Sequence, residues 1–161
     1  MLYRVIGELL TVGKVAAAMI LGAFIGVERE VKDKPAGLRT HMLVAGAATL
    51  LVALSNHVIR ELSNQFGGVV ISSDPVRVIA AVVTGVSFLG AGTIIRQRQG
   101  GHIEGLTTAA SLLFAASAGV AVGLSLWVLA VGVTGLALFT LRVMPSIKPF
   151  FLRSTQKKDG V

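Results

Sequence analysis

Five stretches of about twenty apolar residues, each bounded by charge or by a turn, decide what this 161-residue chain can become. A hydrocarbon layer about 30 Å thick is crossed by about 20 residues of helix. The runs that meet this requirement lie at residues 5–27, 40–59, 76–95, 106–122 and 124–141. Between the last two there is only a short Gly123–Ser125 break, and no charge occurs from residue 105 to 141. One helix of about 35 residues would overshoot the bilayer by some 20 Å, so a tight hairpin is expected there. The fold class that follows is all-α: a polytopic membrane protein with a five-helix transmembrane domain over residues 1–144. Beyond it, residues 145–161 are expected to form a basic cytoplasmic tail, interfacial after Pro145 and Pro149 and then disordered.

Composition agrees. Charged residues make up 14% of the chain, against about 25% in an average soluble domain, and the mean hydropathy is +0.79. The first run is long, carries Glu8 and Lys14, and lacks a small-residue cleavage site, so it is expected to stay as a helix rather than be removed as a signal peptide. Without cysteine there are no disulfides and no thiolate ligands or nucleophiles. The net charge of +7 is spread in short clusters between apolar runs. That distribution suits orientation in a bilayer and contact with lipid headgroups, and no nucleic-acid partner is expected.

The bases are unevenly shared. Arg29, Lys32, Lys34 and Arg39 follow the first run, Arg96 and Arg98 follow the third, and Arg142, Lys148, Arg153, Lys157 and Lys158 follow the last, against Arg4, Arg60 and Arg77 on the other side. Cytoplasmic loops hold the excess of Lys and Arg, which predicts the N-terminus outside and the C-terminus inside. On the outer side, residues 65–73 form a Gly-rich loop, Asp74 is placed to cap the third helix ahead of Pro75, and Asp74 and Arg77 could pair on one helical face.

Small residues supply the packing surfaces that lipid-embedded helices need. Ala18, Gly22 and Gly26 recur every four residues in the first span, and the row runs on to Lys14 one way and Glu30 the other. In the fourth span Thr107, Ser111, Ala115, Gly119 and Gly123 form one face. Lys14, the charge well inside a span, either snorkels along its stem to an interface or serves as an intramembrane functional charge. Glu8, about 240° away around the helix, is a poor partner for it.

The conspicuous segments GVERE (26–30), KPAGLRTH (34–41), FLGAGTII (88–95) and EGLTTAAS (104–111) all fall at the basic ends of their spans. Two helix N-termini point there with unsatisfied N–H groups, which favours nearby acids. A polar cluster is therefore expected from Glu28, Arg29, Glu30, Pro35, Gly37, Arg39, Thr40, His41, Gly90, Gly92, Thr107 and Thr108, with Arg39 paired to Glu28 or Glu30. The alternative is a solvated charge cluster that only orients the protein. Against it, an orienting loop needs bases but has no use for a Pro-Ala-Gly turn followed by Arg, Thr and His. Glu28 and Glu30 are weak candidate ligands for a hard cation such as Mg²⁺, because neighbouring bases would offset their field. His41, His57 and His102 lack metal-ligand spacing and read as interfacial residues. With no P-loop, nucleophile elbow or HExxH, no enzyme is expected.

At these residues a resemblance emerges. GVEREVKDKPAGLRTHMLV, DPVRVIAAVVTGVSFLGAGTII and EGLTTAASLLFAASAGVAVG resemble, in order and spacing, the signature blocks of the MgtC/SapB family of bacterial inner-membrane proteins. Two positions differ, Ser87 where the family usually has Gly and Leu113 where it often has Trp. The likeness implies a multi-pass protein of the bacterial inner membrane, linked to magnesium homeostasis and, in pathogens, to survival inside host cells. It also implies a short form lacking the soluble C-terminal domain of longer members. For those members it implies a regulator that contacts membrane partners, an F-type ATP synthase or a magnesium P-type ATPase. A homo-oligomer acting as a regulatory or binding protein is the leading expectation. An oligomeric divalent-cation transporter or channel is the alternative.

Overall fold

The computed structural model describes residues 2–65, 75–95 and 105–156. They form α1 (Leu2–Val31), α2 (Leu38–Gln65), α3 (Pro75–Ile95), α4 (Leu106–Gly123) and α5 (Trp127–Gln156). Each helix contains a stretch long and apolar enough to cross a membrane, so the five-span all-α architecture holds. Residues 66–74, with Asp74, and Arg96, Arg98, His102 and Glu104 lie outside the described residues, as do Lys157 and Lys158.

Several helices outrun the apolar stretches that announce them. α1 holds its helix through Glu28, Arg29 and Glu30 before ending, because charged residues with good helix propensity continue a helix that is already nucleated. The backbone of α5 stays helical through Pro145 and Pro149 to Gln156. The basic tail thus begins as a continuation of the fifth helix.

Two turns have the same construction. Asp33 takes φ 50° after α1, where Asp33 N–H donates to Glu30 O at 3.0 Å and Lys34 N–H to Arg29 O at 3.0 Å. After α4, Ser125 takes φ 64°, with Ser125 N–H donating to Val122 O and Leu126 N–H to Ala121 O, both at 2.8 Å. Both are helix stops in which one left-handed residue folds the chain back onto orphan carbonyls. The second stop is the hairpin expected between the last two spans, over residues 124–126. Gly105, at φ 99°, opens α4 and sits where a Cβ would come 3.0 Å from Thr93 O, so the end of α3 closes on bare backbone.

α4 is the axis of the bundle. It touches each of the other four helices, which surround it in the order α3, α2, α1, α5, while α3 and α5 do not touch among the described residues. Its spanning segment is 56% buried, against 17–33% for the others. The core is built largely of alanine and valine: Ala18, Ala45, Ala115, Ala121 and Val122 in one cluster, Val44, Ala48, Val82, Leu112 and Ala116 in another.

The two small-residue rows explain this closeness. A Cβ on Gly22 would overlap the His41 carbonyl oxygen, and one on Gly26 would come 2.6 Å from Leu38 Cα. On α4, a Cβ on Gly119 would overlap the Ala45 carbonyl oxygen, and one on Gly123 would come 2.8 Å from Val52 Cβ. Both rows therefore pack against α2 of the same chain, and backbone meets backbone as lipid-embedded helices require.

Candidate functional site

The segments singled out at the basic ends do gather at one end of the bundle, but they form two separate nodes. The first is ionic and joins α1 to α5. Arg29 Nε donates to Glu28 Oε2 at 2.6 Å and its Nη2 to Glu28 Oε1 at 3.0 Å, a two-pronged pair with each residue 4% exposed. Lys32 Nζ sits 2.6 Å from Glu28 Oε1 and donates to Leu141 O of α5 at 3.0 Å. Both carboxylate oxygens are thus engaged, and the second cation, Lys32, reaches across to a carbonyl of another helix.

The second node joins α1, α2 and α4. Glu30 Oε2 accepts from Leu38 N–H at 2.6 Å, closing one of the open donors at the start of α2. Gly37 makes room for it, since a Cβ there would lie 2.7 Å from that oxygen. His41, fully buried, donates from Nδ1 to Gly37 O at 2.8 Å, and its Nε2 lies 2.9 Å from Ser111 Oγ on α4. Ser111 Oγ is also 2.8 Å from Thr108 O. Because Gly37 O can only accept, Nδ1 carries a proton, and in the neutral ring Nε2 must accept from the Ser111 hydroxyl. If Nε2 is protonated as well, it donates to Ser111 and frees that hydroxyl for Thr108 O. The imidazole thus pins the start of α2 to α4.

Several expected placements are corrected. Arg39 is exposed and makes no ion pair among the described residues, so it does not hold Glu28 or Glu30. The reason is azimuth: Arg29 and Lys32 already saturate Glu28, while Glu30, about 200° around the helix from Glu28, faces Leu38. His41 is a core residue rather than an interfacial one. Thr108 is buried and contributes its carbonyl, Thr40 is half-buried, and Thr107 and Pro35 are exposed. Gly90 packs against Ala109 of α4, with a built Cβ 3.1 Å from the Ala109 methyl, whereas Gly92 is exposed with open space around it. Neither glycine contacts the Glu28 node. Among the described residues no group of three acids or histidines could hold a metal, and Glu28 and Glu30 turn to different partners.

Three contributors went unnoticed in the sequence. Lys32 stands one helical turn after Glu28, a spacing that signals a pair once α1 is known to continue. Ser111 belonged to the packing stripe, with nothing local to mark it as a histidine partner. Ser125 receives Lys14 Nζ at 2.7 Å, at the opposite end of the bundle.

A sequence model described as the MgtC family matches residues 15–150, a range that takes in both nodes. The chain belongs to the MgtC family. Among its relatives, YhiD of Escherichia coli strain K12, named as a candidate magnesium transporter, is 38% identical over 80% of this chain and 57% of its own length. Protein MgtC of Brucella abortus strain 2308 is 42% identical over 72% of this chain and 43% of its own. Protein SapB of Bacillus subtilis strain 168 is 37% identical over 68% of this chain and 46% of its own. The chain thus spans about half the length of these curated relatives. No solved structure matches it.

Proposed function

We propose that this MgtC-family chain is a non-catalytic regulatory membrane protein of magnesium homeostasis, and that the end bearing Glu28 and His41 is its binding face. In this reading the chain lies in a bacterial inner membrane with its N-terminus outside, so that the face meets the cytoplasm. It works as a homo-oligomer among membrane lipids and contacts a larger membrane partner, an F-type ATP synthase or a magnesium P-type ATPase. The observation that carries the reading is the saturation of Glu28. A carboxylate with both oxygens held by Arg29 and Lys32 is committed to fastening α1 against α5 and is poorly placed to take up and release a cation.

The alternative, an oligomeric divalent-cation transporter or channel, is favoured by the name given to YhiD. Liposomes containing the purified chain and loaded with a magnesium-sensitive dye separate the two. Regulation predicts no flux above empty liposomes; a flux abolished by Glu28→Gln would establish transport instead. Crosslinking in native membranes then identifies the partner. Because the chain has no cysteine, a single Cys at Arg39 reports sidedness without background. Labelling of that site from outside intact cells would invert the topology and remove the face from the cytoplasm.

A further inference from the structure

Lys14 carries a charge that the described residues do not balance. Its Nζ donates to Ser125 Oγ at 2.7 Å, and it makes no ion pair among them. An ammonium has three N–H groups and a hydroxyl is neutral, so two donors and a full positive charge are left over. Among the described residues no acid pairs with it. α4, the hairpin and α5 carry no charged residue before Arg142, α2 carries none from Met42 to Asn56, and Glu8 of α1 is held by Arg4 at 3.4 Å. An ammonium with open donors at the rim of a span is best satisfied by an anionic partner from outside.

Depth narrows what that partner is. α4 has 18 residues, a rise of about 27 Å, close to the hydrocarbon thickness. Its two ends are thus about one apolar layer apart, and the hairpin with Ser125 is at one of them. Trp127 is exposed beside it, and tryptophan favours the headgroup zone. Lys14 reaches that level through its stem.

The turn adds an independent sign. Ser125 occupies a left-handed position, φ 64°, where glycine would be easier. A side chain held in such a conformation points to use of that side chain. Its oxygen accepts from Lys14, which leaves its own O–H to donate outward. Two ammonium N–H groups and one hydroxyl are then neighbouring donors with no acceptor among the described residues, which is a preference for an anion. Leu124, Leu126, Trp127 and Val128, which flank Ser125 in the chain, are all exposed and offer apolar surface suited to acyl chains.

We propose that Lys14 and Ser125 form a site for the phosphate of an anionic phospholipid, in the leaflet at the α4–α5 hairpin. The net charge of the site favours phosphatidylglycerol over a zwitterionic lipid, and the apolar surround favours a lipid over free phosphate. The test is native mass spectrometry of the delipidated full chain in detergent, titrated with phosphatidylglycerol, phosphatidylcholine or inorganic phosphate. Phosphatidylglycerol binds the wild type about fivefold more tightly than it binds Lys14→Met, the factor expected for one lysine near an anionic lipid. Lys14→Arg keeps the affinity, Ser125→Ala lowers it partly, and phosphatidylcholine binds wild type and Lys14→Met alike. Equal phosphatidylglycerol binding by wild type and Lys14→Met overturns the proposal, and so does displacement of the lipid by inorganic phosphate. A rise in affinity in Asp74→Asn also overturns it, since that would show Lys14 to be neutralised within the chain. Should Lys14→Met fail to fold, Lys14→Gln against Lys14→Arg reads the same difference.

Discussion

Gly119→Ala tests whether the bundle depends on backbone contact between α2 and α4. The added methyl would overlap the Ala45 carbonyl oxygen and stand 2.9 Å from its carbon and 3.1 Å from Ala45 Cα. These are backbone atoms in the middle of a helix, so no rotamer change relieves the overlap and the two helices must separate. Overpacking of this kind costs about 1–3 kcal/mol. Separation also strains the bond from the buried Thr49 hydroxyl to Gly119 O, 2.7 Å long, which the same hydroxyl shares with Ala45 O at 3.1 Å. An interhelical bond of this type contributes about 0.6 kcal/mol. Alanine returns up to about 1 kcal/mol of helix propensity, leaving a net loss of about 2 kcal/mol. That corresponds to a fall of roughly 4–8 °C in Tm for a chain of this size. The single tryptophan, Trp127, gives the fluorescence readout for melting in detergent. Gly132→Ala is the control, because nothing lies within 4 Å of a Cβ there, and it should melt at or above wild type. If Gly119→Ala melts with Gly132→Ala, the helices have room to spare and the packing argument fails.

The remaining predictions use the same melting assay. Glu28→Ala strands the buried Arg29 and costs about 3–5 kcal/mol, whereas Glu28→Ala combined with Arg29→Ala costs less than Glu28→Ala alone, because no uncompensated charge remains; a double variant at least as unstable as the single one would contradict the pairing. Ser111→Ala removes the partner of a fully buried His41 nitrogen and costs about 1–3 kcal/mol. Its effect should be less than additive with His41→Leu, since the two changes break one bond. In lipid-free detergent Ser125→Gly melts above Ser125→Ala by up to about 1 kcal/mol, because both lack the acceptor of Lys14 and only glycine relieves the left-handed turn. No rise over Ser125→Ala would mean that the turn is unstrained as it stands.

The spans were legible because the bilayer imposes a length and an apolar composition that few other structures share, and the hairpin because a helix through residues 106–141 could not fit. The packing rows were legible for a related reason. Gly22, Gly26, Gly119 and Gly123 repeat every fourth residue, and in lipid such repeats have few uses other than close approach. Charge was harder to read. Nearness in sequence presents the stretch from Glu28 to Arg39 as one patch, yet an α-helix turns about 100° per residue. α1 continues to Val31, so it sends Glu28 and Glu30 to different neighbours, one toward Lys32 and α5, the other toward the start of α2.

Proximity along the chain therefore did not become proximity in a single site, and Arg39, on the far side of the turn, was left exposed. His41 failed as an interfacial residue for a complementary reason. Linear position places it at a helix end, whereas its burial is decided by Ser111, seventy residues away. Nothing local to either residue encodes that meeting, which arises only after the small-residue rows have drawn α1, α2 and α4 together. The glycine rows therefore come before the polar node in the order of physical causes. A variant that spreads α2 from α4 should disconnect His41 from Ser111 even though both residues are intact.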